Sequence, residues 1–184
     1  MTARIISADD LCQAAEEILT EQLPELITLL GVTGFKPVTT WQQVPAIEAL
    51  TSANFPVGAI TSPGLVDRPS KSRGKGWTAT WRLAVGIYDR GTDHRDTAAR
   101  SRKWASYVRT VLLQNRTLGG VAKTVTWAGE EYAQLPQKTA ARTLGGCAVA
   151  FDIEVENVVD LDAGTAWPLV QSTHPHVSVT TPQE

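Results

Sequence analysis

Trp77-Thr78-Ala79-Thr80-Trp81-Arg82-Leu83-Ala84-Val85-Gly86-Ile87-Tyr88 alternates apolar side chains with small or polar ones from end to end. Successive side chains on a strand point to opposite faces, so Trp77, Ala79, Trp81, Leu83, Val85 and Ile87 share one face. A strand with one buried face follows, and the other elements are placed around it. Downstream, Thr92 or Asp93 caps a helix over about 93–116, whose apolar stripe is Ser101, Trp104, Ala105, Val108, Val111 and Leu112, with Gly119-Gly120 after its end. Val121, Lys123, Val125 and Trp127 alternate with small or hydroxyl residues. Cys147, Val149, Phe151, Ile153 and Val155 alternate with Ala148, Ala150, Asp152, Glu154 and Glu156. Two more strands are expected there, as antiparallel neighbours.

Upstream, Asp67–Gly76 has no apolar residue and carries Asp67, Arg68, Lys71, Arg73 and Lys75, which predicts an exposed, mobile loop over 67–76. Phe55–Thr61 reads as a short strand bounded by Asn54 and by the turn residues Ser62-Pro63-Gly64. Residues 32–54, with Pro37 and Pro45, read as an ordered connector in which Ala46–Leu50 forms a helical turn. Leu11, Ala14, Ala15, Ile18 and Leu19 follow the helical period, and Ser7 with Asp9 and Asp10 suits a helix start, so residues 8–22 are helical. Pro24 then opens a second short helix carrying Leu26, Ile27, Leu29 and Leu30, which Gly31 ends.

This order predicts an α+β domain over residues 1–160, a mainly antiparallel β-sheet with helices packed on one face, including an N-terminal helix and one long central helix. Residues 161–184 show no sustained period and predict a flexible C-terminal arm. The chain has 184 residues, 42% hydrophobic and 20% charged, enough for one buried core and too few for several domains. Seventeen Lys and Arg against nineteen Asp and Glu give a net charge of −2, so any nucleic-acid binding must be local. Cys12 and Cys147 lie far apart with no metal-binding spacing, which disfavours a disulfide scaffold or structural zinc. No apolar run reaches membrane-helix length, and the acidic start does not read as a signal peptide, so a soluble protein made in the cytosol is expected.

Catalytic chemistry is not apparent in the sequence. The histidines are His94, at a helix start, and His174 and His176, in the expected arm. Arg73-Gly74-Lys75-Gly76 is basic and glycine-rich, but a strand follows it where a phosphate cradle needs a helix N-terminus. Asp152, Glu154 and Glu156 form one row on one strand face. Arg95, Arg102, Arg109 and Arg116 recur every seven residues along one side of the long helix. Because the helix covers the apolar strand face, the acidic row points away from it and pairing within the chain is not expected. The row and the ridge are either solvated faces or the two sides of a head-to-tail subunit interface. Trp81 and Trp104 suit the core, whereas Trp41 and Trp167 are contact candidates.

These features occur in a familiar order: the N-terminal helix, Trp41-Gln42-Gln43-Val44-Pro45, Phe55-Pro56-Val57, a loop, Trp77 to Tyr88, an Ala- and Arg-rich helix, Val125-Thr126-Trp127-Ala128-Gly129-Glu130-Glu131-Tyr132, and Phe151 to Val155. Over about residues 5–160 the chain resembles the tail terminator proteins of long-tailed (siphovirus-type) bacteriophages, particularly those of actinobacterial hosts. The resemblance implies a structural virion protein, without cofactor or turnover, that forms a hexameric ring on the last ring of the tail tube. Such a ring ends tube growth and presents a surface for head-to-tail joining. The implied partners are other copies of the chain, the tail tube protein and the head-closure or connector protein, with DNA only in transit through the channel and no membrane. The implied location is the head-proximal end of the virion tail, after assembly in the host cytoplasm. Arg95, Arg102, Arg109 and Arg116 with Asp152, Glu154 and Glu156 are then the expected subunit contacts, and Arg68, Lys71, Arg73 and Lys75 the expected docking loop. Two alternatives remain: another connector or head-closure protein of the neck, or a small nucleic-acid-binding module that uses the same basic residues on phosphates.

Overall fold

Trp77–Arg90 forms the central strand of a sheet whose apolar face is covered by two helices. The computed structural model describes residues 4–43, 55–71, 76–135 and 144–160. In chain order the elements are β1 (Arg4–Ile5), α1 (Ala8–Leu29), β2 (Trp41–Gln42), β3 (Val57–Leu65), β4 (Ser70–Lys71), β5 (Trp77–Arg90), α2 (His94–Gln114), β6 (Thr124–Leu135), β7 (Leu144–Val155) and β8 (Val159–Asp160). A 3-10 turn at Leu118–Gly120 follows α2. The six-stranded sheet has the order β2-β3-β5-β7-β6, with β4 also paired to β5, and a separate two-stranded ribbon joins β1 to β8. All pairs are antiparallel except β2 with β3. The fold is α+β, with an N-terminal and a central helix, as the sequence pattern predicts.

Packing follows the two periods. From β5, Leu83, Val85 and Ile87 are buried, and their neighbours Phe151, Val149 and Cys147 on β7 share that face. On α2, Ser101, Trp104, Ala105, Val108, Val111 and Leu112 are all buried, which is the stripe expected. Asp93 caps α2 by accepting the Asp96 N–H at 2.7 Å. Helix α1 lays Leu11, Ala15, Leu19, Leu23 and Ile27 on the same core. Gln22 and Asn115 tie the two helices through paired amide hydrogen bonds of 2.7 and 3.3 Å.

Four local expectations are corrected. Helix α1 does not stop at Pro24 but runs through it. Proline removes one N–H from the ladder, yet Leu23 and Ile27 stay on one buried stripe only if the helix continues, and tertiary burial outweighs the lost bond. Its end is a Schellman motif: Gly31, at φ +61°, donates to the Thr28 carbonyl, and the Val32 N–H donates to the Ile27 carbonyl. Strand β3 passes through Ser62-Pro63-Gly64 by an irregularity in register between Thr61 and Gly64. Among the described residues β2 pairs only with Gly58 and Ala59, so the N–H that Pro63 lacks is not missed in that pairing.

The 67–76 segment is not loop throughout, because Ser70 and Lys71 pair with Thr78 and Trp77 as β4. Residues 72–75 lie outside the described part, as do the helical turn expected at Ala46–Leu50 and the C-terminal arm from 161. Finally, Trp41 is not a free contact residue. It sits on β2 against Gly58, where a Cβ would come within 2.2 Å of the indole, and it packs on the core. Trp167 lies outside the described residues.

Candidate functional site

The inward alternation of β5 does not end at Ile87. The next residue on that face is Asp89, only 4% exposed. A buried carboxylate is costly unless paired and hydrogen-bonded. Arg100 supplies the pair, donating from Nε at 2.9 Å and Nη2 at 2.6 Å to Asp89 Oδ2, and Trp104 Nε1 donates to the same oxygen at 2.9 Å. The Arg90 N–H donates to Asp89 Oδ1 at 2.8 Å. Arg100 Nη1 reaches the Gly34 carbonyl at 3.0 Å, and the guanidinium lies 4.5 Å from the Phe35 ring centroid. Phe35 in turn meets Trp104 and Tyr107 edge-on. This cluster clamps β5, α2 and the segment after α1, beside a cavity of about 270 Å³. With its oxygens already held by donors, Asp89 is an anchor and not a free base.

The acidic row is also paired within the chain, contrary to expectation. Asp152 accepts from Arg82 Nε, its register partner on β5, at 2.6 Å. Lys123 Nζ lies 2.8 Å from Glu154 and 2.9 Å from Glu156. Lys123 donates hydrogen bonds to Glu154 and Glu156, and these, Glu154 first, raise its ammonium above its ordinary pKa. The row does face away from α2, but neighbouring strands carry cations on that same side.

The arginine ridge is broken at its centre. Arg95, Arg102 and Arg116 are exposed, whereas Arg109 is half-buried, paired with Glu130 of β6 and stacked 4.7 Å from the Trp127 ring centroid. The cause is a bulge between Trp127 and Gly129. It places Trp127 opposite Phe151 and Glu130 opposite Val149, both on the helix-covered face. Glu130 also accepts from the Tyr132 hydroxyl, which lifts the Tyr132 pKa.

Strand β6 lies at the end of the sheet and, among the described residues, pairs only with β7. Trp127 and Tyr132 on it are 46% and 50% exposed. Exposed Arg102 lines a small cleft with Ala98, Ser101, Tyr132 and Gln134 beside this edge. Arg68 and Lys71 are exposed, while Arg73 and Lys75 fall outside the described residues. His94 is exposed in the first turn of α2, and His174 and His176 are not described. Cys12 and Cys147 are free, buried thiols. Burial raises the Cys12 pKa and pushes Cys147 up to about 12. Among the described residues, no group of three or more His, Cys, Asp or Glu is placed to hold a metal ion, and no helix is long and apolar enough to cross a membrane.

Sequence reasoning passed over the Asp89–Arg100–Trp104 cluster, although its signal was present. Extending the alternation of Trp77–Ile87 by two residues puts a charge on the apolar face, and Arg100 precedes Trp104 by one helical turn. The open edge of β6 had no such signal, because strand order is not written in any one strand. A scan against protein-family models finds no match for this chain, and a search of curated proteins finds none either.

Proposed function

We propose that this chain is the subunit of a homo-oligomeric ring that caps a phage tail tube, ends tube polymerisation and offers a surface for head-to-tail joining. The observation that carries the reading is the edge of β6. A twelve-residue strand at the margin of the sheet, unpaired on its outer side among the described residues, presents a row of backbone donors and acceptors that a neighbouring chain can satisfy. The opposite margin of the sheet is different, with two-residue β2 beside the longer β3. Joining unlike edges is a heterologous contact, and heterologous contacts close into rings when the rotation permits.

The resemblance to tail terminators supports six subunits, with the tail tube protein below and a connector or head-closure protein above. The proposed location is the head-proximal end of the virion tail, and the role involves no turnover or cofactor. In this reading Arg95, Arg102 and Arg116 flank the contact. Asp152, Glu154 and Glu156, partly neutralised by Arg82 and Lys123, contribute less than their charge suggests. Nucleic-acid binding is the weaker reading, since Arg109 in the middle of the ridge it would use is held by Glu130 and adds little positive field.

Cryo-electron microscopy of virions carrying this chain tests the proposal. The expected result is a ring of identical subunits directly on the last tube layer, with β6 at the subunit boundary. A ring higher in the neck makes the chain a connector or head-closure protein, and absence from the particle overturns the structural reading altogether.

A further inference from the structure

Apolar surface stays open where β5 begins. Leu65, Pro69, Trp77, Ala79, Trp81 and Val159 line a groove of about 330 Å³. Trp77 is 44% exposed and Leu65 47% exposed, so the alternation that buries Val85 and Ile87 runs on past its cover. Single exposed apolar residues are ordinary, but a groove walled by two indoles, a proline and aliphatic side chains marks a contact site.

The chain leaves the described structure from this groove. Val159 lies in its wall, the Val158 N–H donates to the Trp77 carbonyl at 2.9 Å, and the Gly76 N–H donates to Asn157 Oδ1 at 3.1 Å. Residues 161–184 follow, without a single Lys or Arg, and their densest apolar run is Trp167-Pro168-Leu169-Val170. An extended stretch from Asp160 to Trp167 spans at most roughly 25 Å. Gly164 in that stretch permits a chain reversal. Charged residues flank the groove: Lys71 is the register partner of Trp77 and so stands on the same side of the sheet, and exposed Asp67 and Arg68 precede Pro69 of its wall. The segment between Asp160 and Trp167 contains Asp162.

We propose that the groove is the binding site for Trp167-Pro168-Leu169-Val170 of the same chain, docked in extended form against Trp77 and Trp81 with Asp162 toward Arg68 and Lys71. Aromatic-lined grooves suit proline-containing extended segments, which lose little entropy on docking. The same chain is favoured over a second copy because a tether of six residues, 161–166, gives an effective concentration on the order of millimolar. The site stands apart from the ring reading, since it is formed and filled within one subunit.

Full-length chain carrying Leu65→Cys with Leu169→Cys, oxidised mildly and run on a non-reducing gel, tests it; the native thiols are buried. The expected product is an intramolecular disulfide, formed at least ~10-fold faster than in a Leu65→Cys, Thr180→Cys control. No preference over the control overturns the proposal, and so does cross-linking only as a dimer, which assigns the groove to a second copy. Hydrogen exchange gives a readout without added thiols. Trp167→Ser with Leu169→Ser in the full chain speeds exchange at Trp77–Ala79 and Val158–Val159 roughly tenfold while leaving α2 unchanged. Unchanged exchange at those amides overturns the proposal, as does protection that arises only when another protein is added.

Discussion

Two charged clusters in this molecule share the same chemistry and differ in what surrounds them. Asp89 sits on the covered face of the sheet under Arg100 and Trp104, whereas Lys123, Glu154 and Glu156 meet on the open face. The first cluster has lost its water and depends on every partner it has. The second keeps its water, so each member can exchange a protein partner for solvent at small cost. Ion-pair distances of 2.6 to 2.9 Å in both clusters do not distinguish them. Burial does.

Asp89 is the position most sensitive to this difference in burial. Asp89→Ala leaves the Arg100 guanidinium and the Trp104 N–H without their acceptor, and the expected loss is about 3–5 kcal/mol of unfolding free energy by urea titration. A loss below about 1 kcal/mol means the buried cluster behaves like a surface pair. Trp104→Phe keeps most of the ring volume but removes one donor, with an expected cost of about 1–3 kcal/mol in the same titration. Arg109→Ala tests the intermediate case, since Arg109 is part-exposed yet covers Glu130 and Trp127. It should cost about 1 kcal/mol, with a rise in Trp127 accessibility to an aqueous quencher.

Titration sharpens the same contrast. The Cys147 thiol has a folded pKa of about 12 against an ordinary 9.0, so the folded state holds this proton more tightly than the unfolded chain does. Its contribution to stability is complete below pH 9 and falls as pH rises from about 9 to 12. Cys147→Ala should flatten that part of the stability–pH curve, and Cys147 should resist alkylation at pH 8 in the folded protein. The smallest effect belongs to Lys123→Ala, which should leave the thermal midpoint within about 1 °C of the parent, and less than that in 1 M salt.

The physical basis of these outcomes separates what was readable from what was not. The stripe on α2, the alternation of β5 and β7, the Ser7 and Asp93 caps and the stop at Gly31 each depend on residues close in sequence, so they are legible without a structure. The continuation of α1 through Pro24 was not, because the gain comes from a core that Pro24 does not itself reveal. The inward turn of Glu130 was not legible either, because one extra residue in a bulge reverses which face every later side chain takes.

Local patterning in the chain suffices for the α+β class, the amphipathic helical faces, the long strands and the apolar positions that build the core, since periodicity of burial is a local property of the chain. It took the folded arrangement to clamp Asp89 with Arg100 and Trp104, to pair the acidic row across strands with Arg82 and Lys123, and to leave β6 at the sheet margin among the described residues. Those outcomes depend on strand order and register, which arise from contacts between residues distant along the chain and are settled by the packing of the whole.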